Sequence, residues 1–170
     1  KTLLLIGSKG VRRSEDAGIS FKQTGTSKFR KLKFSRVDKA GSAIVVYGSS
    51  NVAVSKSDGK NWSTIKRGKK IKTIKFLDFA DAKSGWIADG NGELWSTTNA
   101  GKKWTRIDTT GLTSIRSMSR TDSKRGYLSD GSGSVFATDD GGKTWSQQSP
   151  FLHKNAVNTL IAPLRAKGAI

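Results

Sequence analysis

The sequence has no cysteine, one histidine (His153), one methionine, two prolines and no long apolar run. Without cysteine the fold is not held by disulfides, and no zinc-type ligand spacing exists, so neither a metal nor a cofactor is expected. Acid–base chemistry through histidine would rest on His153 alone, which reads better as a loop or surface residue. The opening apolar run, LLLIG at 3–7, is too short to span a bilayer or to act as a secretory hydrophobic region. Carboxylates are scarce as well: 13 Asp and Glu stand against 31 Lys and Arg, a net charge of +18 over 170 residues. Such an excess attracts polyanions and acidic surfaces. The length suits one domain with a core, taken as 1–170. A start at Lys1 without methionine reads as a processed protein or a piece of a longer one.

What the sequence does contain is a repeat. TDDGGKTW at 138–145 returns as TTNAGKKW at 97–104, SKSDGKNW at 55–62 and SEDAGISF at 14–21, at intervals of 41, 42 and 41 residues between the starts 14, 55, 97 and 138. The shared pattern, Ser/Thr-x-Asp-x-Gly-x-x-Trp, has the chemistry of a tight turn between antiparallel strands. An Asp or Asn side chain (Asp16, Asn99, Asp140) folds back onto backbone N–H groups, and a glycine (Gly18, Gly59, Gly101, Gly142) supplies positive φ. An aromatic residue (Phe21, Trp62, Trp104, Trp145) then opens the next strand and packs over the turn. The second box carries Ser57 at the acidic position, with Asp58 beside it, and is expected to be less well tied.

Between the boxes lie short alternating or β-branched runs. FRKLKF at 29–34, SAIVVYG at 42–48 and NVAV at 51–54 read as strands, and so do IKTIKF at 71–76, GWIADG at 85–90, ELW at 93–95 and KWTRI at 103–107. The next unit reads SIRSM, GYLSDG, SVFAT and TWSQQ. Gly7, Gly48, Gly90 and Gly131 fall in one column, and Leu4, Val45, Ile87 and Leu128 in another. Four short strands per unit, without sustained 3.6-residue periodicity, predict an all-β fold: a β-propeller of four-stranded antiparallel blades, with every box joining a third strand to a fourth. The opening unit lacks its first strand, which AVNTLI at 156–161 matches, so that Val157–Ile161 would pair beside Leu3–Ile6. Two completions fit: a ring closed as four blades, or a fragment of a larger propeller.

The box pattern resembles the Asp-box, or BNR, repeat of sialidases, sortilin-type receptors and photosystem II assembly factors. The phrase GWIADGNGELWSTTNAGKKW, repeated as GYLSDGSGSVFATDDGGKTW, is most similar to the photosystem II assembly and stability factor family and its non-photosynthetic relatives. That resemblance implies a non-catalytic, extracytoplasmic propeller (periplasm, thylakoid lumen or secreted) that docks a protein partner. The photosynthetic members of that family also use a basic face. A sialidase-like activity would need an Arg-Ile-Pro motif and a Tyr with a Glu. The motif is absent, the only tyrosines (Tyr47, Tyr127) lie inside second strands, and the only glutamates (Glu15, Glu93) lie near turns. Asp78, Asp81 and Asp89 form no recognisable pair in the sequence. GSGS at 131–134 reads as a hairpin, and Asn61-Trp62-Ser63 as an accidental glycosylation match.

The cations are grouped before or within first strands: Lys28, Arg30, Lys31, Lys33, Arg36 and Lys39 in one group, and Lys66, Arg67, Lys69, Lys70, Lys72 and Lys75 in the next. In register, Lys33, Lys75 and Arg116 share a column that Asn158 completes. First strands are innermost in a propeller, so these side chains are expected at the central channel or its rim, with Arg30, Lys31, Lys70 and Lys72 around them. An acidic protein or peptide is the partner this predicts. An anionic glycan, stacking on Trp86 or Trp95, is the alternative. Nucleic acid suits the charge but finds no recognised binding module in the chain.

Overall fold

A computed structural model describes residues 2–149. The chain forms four antiparallel sheets in sequence order. The first has three strands, β1 (Leu3–Gly7), β2 (Gly10–Ser14) and β3 (Lys22–Gln23). The second holds β4 (Arg36–Ala40), β5 (Ala43–Tyr47), β6 (Val52–Ser55) and β7 (Ser63–Ile65). The third holds β8 (Ile74–Phe79), β9 (Gly85–Asp89), β10 (Leu94–Thr97) and β11 (Thr105–Ile107). The fourth holds β12 (Ser117–Arg120), β13 (Gly126–Ser129), β14 (Val135–Thr138) and β15 (Ser146–Ser149). Each strand pairs with its sequence neighbours, which is the meander of a propeller blade. Among the described residues the opening sheet has three strands; the segment expected to supply a further one, 156–161, lies outside the described residues, with Asn158 and His153.

The core is a stack of inter-blade layers. Val45 and Tyr47 of β5 join one cluster with Leu77, Ile87 and Trp95, while Val46 of the same strand joins another with Val11, Phe29 and Phe34. Ile87 and Trp86 divide in the same way between the second and third layers. A strand covered on both faces by neighbouring blades carries apolar residues at consecutive positions, which explains runs such as IVVY and GWIA. Trp86 and Trp95 are 0% and 6% exposed, so neither offers the sugar-stacking platform expected of it.

The boxes join the last two strands in all four sheets. In each, the hydroxyl of the first residue accepts the glycine N–H: Ser14 from Gly18 at 2.8 Å, Ser55 from Gly59 at 2.9 Å, Thr97 from Gly101 and Thr138 from Gly142 at 3.0 Å. Asp16 and Asn99 accept an N–H four residues on at 2.9 Å, from Ser20 and Lys103, and Asp140 accepts from Lys143 at 2.8 Å. Ser57 makes the same bond to Asn61 N–H at 2.9 Å, so the second turn is tied by a hydroxyl where the others use a carboxylate or amide. Its neighbour Asp58 instead reaches the opening blade, where its Oδ2 accepts from Arg13 at 3.1 Å and from Thr2 at 2.7 Å. The box glycines are also demanded by packing. A Cβ on Gly101 (φ +77°) would lie 2.2 Å from Ile65 Cγ2 of the preceding blade.

The first strands differ from expectation. The FRKLKF segment contains a 3-10 turn at Phe29–Lys31, and the innermost strand of that blade begins only at Arg36. The alternating Phe29, Leu32 and Phe34 are satisfied by packing into the layer between the first two blades. β8 and β12 likewise start about three residues after the runs at 71–76 and 114–118 begin.

Candidate functional site

The blades present two unlike faces. On one, the boxes meet the loops joining first and second strands: Ala100 N–H donates to Lys83 O at 2.8 Å and Gly141 N–H to Lys124 O at 2.7 Å. The other face is built from the blade-to-blade connections, 24–35, 66–73 and 108–116, and the hairpins joining second and third strands. Backbone bonds hold these together: Phe34 N–H to Gly7 O at 3.1 Å, Gly90 N–H to Thr73 O at 2.7 Å and Arg116 N–H to Ser129 O at 2.9 Å.

The carboxylates divide between the faces. Glu15, Asp16, Asp58, Asp81, Asp122, Asp139 and Asp140 all lie in the boxes or the loops beside them. On the connection face Asp89 and Asp130 are each 1% exposed. Asp89 accepts N–H groups of Asn91 and Glu93 and, at 3.5 Å, of Lys72, while Asp130 accepts those of Ser132, Ser134 and, at 3.1 Å, Thr113. Each buried carboxylate therefore ties its hairpin to the connection entering its own blade, a role invisible in the sequence. Glu93 is occupied by Arg106 at 3.1 Å. The first two connections contain no acidic residue.

The expected site residues Arg30, Lys31, Lys33, Lys70, Lys72, Lys75 and Arg116 are all exposed, and no ion pair engages any of them among the described residues. Their grouping is not the threefold column expected. By strand pairing, Arg36 lies opposite Tyr47, Ile74 opposite Asp89 with Lys75 in the adjoining bulge, and Arg116 against Ser129. Arg36 and Arg116 therefore take like positions in their blades, with Lys75 one residue along in the bulge that follows Ile74. Lys33 sits three residues earlier, in the connection, where its carbonyl accepts from Asn51 Nδ2 at 3.4 Å. The third connection, with Asp108 and Arg116 as its only charges, adds no net charge, so the basic character is concentrated on the first two. Reading inward from the paired hairpin glycines rather than along the apolar alternation would have identified Arg36.

A second cluster, on the innermost strands, was also unrecognised in the sequence. Asp38 of β4 and Asp78 of β8 are hydrogen-bonded to each other, and Asp78 Oδ2 accepts the Arg120 N–H at 2.6 Å. Burial first, and the Asp38 charge second, push the Asp78 carboxyl up to about 7. Burial also raises Asp38. The Arg120 guanidinium lies 4.2 Å from the Trp86 ring centre and donates through Nη2 to Ser123 O at 2.5 Å. Tyr47 has its hydroxyl pushed up by burial, the wrong direction for a nucleophile, and Glu15 is held by Arg13. No cluster of potential metal ligands occurs among the described residues.

No family model and no curated protein matches the chain. Solved structures do. YCF48 from Cyanidioschyzon merolae superposes with a TM-score of 0.63 at 18% identity, over 85% of this chain and 55% of that one. The likeness is one of fold. A structure of YCF48 bound to D1 peptide gives a TM-score of 0.51 at 20% identity, over 62% of this chain and 36% of that one. The GH74 xyloglucanase from Xanthomonas campestris gives 0.60 at 16%, over 86% and 28%. The chain is thus a β-propeller spanning about half the length of the YCF48 structure. Among the described residues no helix is long and apolar enough to cross a membrane.

Proposed function

We propose that this chain is a non-catalytic Asp-box propeller, most like the photosystem II assembly and stability factors, whose connection face docks an acidic protein or peptide. One observation carries the reading: on this face the exposed cations of the first two connections have no carboxylate partner among the described residues, while Asp89 and Asp130 are buried, Glu93 pairs with Arg106 and Asp108 is bonded to Thr110. Charges so arranged raise the local potential, speed encounter with an acidic partner and disfavour basic ones. The YCF48 propeller bound to D1 peptide supports a peptide as ligand of this fold. The same resemblance supports an extracytoplasmic location. The engaged glutamates, Glu15 with Arg13 and Glu93 with Arg106, support the absence of glycosidase chemistry.

The test compares Lys33→Gln/Lys75→Gln/Arg116→Gln with a dispersed control, Lys22→Gln/Lys56→Gln/Lys102→Gln. Binding of a labelled poly-glutamate peptide is read by fluorescence anisotropy. The parent should lose affinity steeply between 0.1 and 1 M salt, as the Debye length shortens from about 10 Å to about 3 Å. The first variant should bind more weakly than the control at equal melting temperature. Equal losses would mean that net charge alone drives association, and the face would have to be abandoned.

A further inference from the structure

The connection face carries more than charge. Where the first connection passes over the outer half of the second blade, a groove of about 320 Å³ opens between Lys28 on the connection and Lys66 at the end of β7. Its apolar lining comes from Phe29, Leu32, Trp62 and Ile65. Phe29 and Trp62 stack with ring centres 5.6 Å apart and planes 16° apart, and Trp62 Nε1 is already bonded to Thr24 Oγ1 and Gly59 O, both at 3.0 Å. The indole therefore presents ring surface to the groove, with its polar group already satisfied. No carboxylate lines the groove. Its volume lies at the lower end of the range for ligand pockets, enough for one large side chain and its flanking backbone.

We infer that this groove is the specificity pocket of the docking face: it takes one large apolar side chain of a peptide segment whose flanking residues are acidic. The inference rests on the reading of the face as an acidic-partner site. Charge complementarity selects the occupant. A basic or neutral segment laid here would place its backbone between two lysines with no counter-charge. An acidic segment pairs with Lys28 and Lys66 while its apolar residue enters a lining of the same chemistry. Cations alone would bind any polyanion, so the apolar pocket is what would distinguish one acidic segment from another.

Two labelled pentapeptides test this, one with acidic residues around a central leucine and the other with serine in its place. The parent should bind the leucine peptide about tenfold more tightly, the expectation for partial burial of one leucine side chain. Thr64→Tyr, which fills the groove from an exposed position on β7, should bring the two affinities together while leaving the serine peptide unchanged. Ser50→Phe, filling it from the hairpin side, is the second variant should the first fail to fold. Equal binding of both peptides by the parent, or a leucine preference surviving in both filled variants, overturns the groove. Lys33→Gln/Lys75→Gln/Arg116→Gln should weaken both peptides alike. If that variant binds both as the parent does while the leucine preference persists, the reading of the face fails and the groove stands.

Discussion

Replacing Asp78 by asparagine tests the carboxyl pair on the innermost strands. Asp78 is pushed up to about 7, by burial first and by the neighbouring Asp38 second, and the Arg120 N–H bond opposes the rise without cancelling it. In the unfolded chain the group returns to about 3.9. Between about pH 4 and pH 7 the folded protein therefore holds a proton that the unfolded chain has released, and stability falls as pH rises through that window. Single-site linkage bounds the loss at about 4 kcal/mol between pH 4 and pH 8. At about 2–4 °C per kcal/mol for a chain of this size, the melting midpoint should fall by up to about 8–16 °C. The substituted amide would be neutral throughout, would still donate to Asp38 and would still accept the Arg120 N–H. Melting followed by tryptophan fluorescence from pH 4 to pH 8 should fall steeply for the parent and less for Asp78→Asn, whose remaining slope comes from Asp38, also raised by burial; the variant should be the more stable protein at pH 8. Parallel curves for the two proteins would show that Asp78 is ionised in the fold and that the shared proton does not exist. Below pH 4 a separate loss is expected of both, because the box hydrogen bonds hold Asp16 and Asp140 below the usual carboxylate range. Their contribution is present above their unfolded values and lost as they protonate.

The boxes supply two further expectations. Trp104→Ala and Trp145→Ala should each destabilise by about 3 kcal/mol in denaturant titrations, since both rings pack against buried aromatics, Phe79 at 6.1 Å and Trp86 at 5.2 Å. A variant that melted like the parent yet lost peptide binding would make the indole a site residue. Gly101→Ala should cost about 2–4 kcal/mol, because the added methyl meets both a left-handed φ and Ile65 of the neighbouring blade. Combined with Ile65→Ala, which removes Cγ2, it should cost less than the sum of the two changes, and simple additivity would place the cost in the backbone alone.

The sequence by itself determined the blades. Its four boxes, at nearly constant interval, carry local chemistry: a hydroxyl, a short polar side chain and a glycine within five residues form the turn, and all four do so between the last two strands of a sheet. The glycine columns likewise marked where second strands end. Only the tertiary structure decided what each blade packs against. Alternation in FRKLKF looked like a strand, yet Phe29 and Phe34 are buried, and Leu32 partly so, from a connection that includes a 3-10 turn, because the layer between blades accepts apolar side chains from any backbone that reaches it. That shift of about three residues moved Arg36 into the basic column and Lys33 out of it. Trp86 and Trp95 are buried for the related reason that a central strand has a neighbour on both faces. Asp38 and Asp78 stand 40 residues apart in sequence (78 − 38) and meet only because successive innermost strands lie side by side, a distance no local pattern encodes.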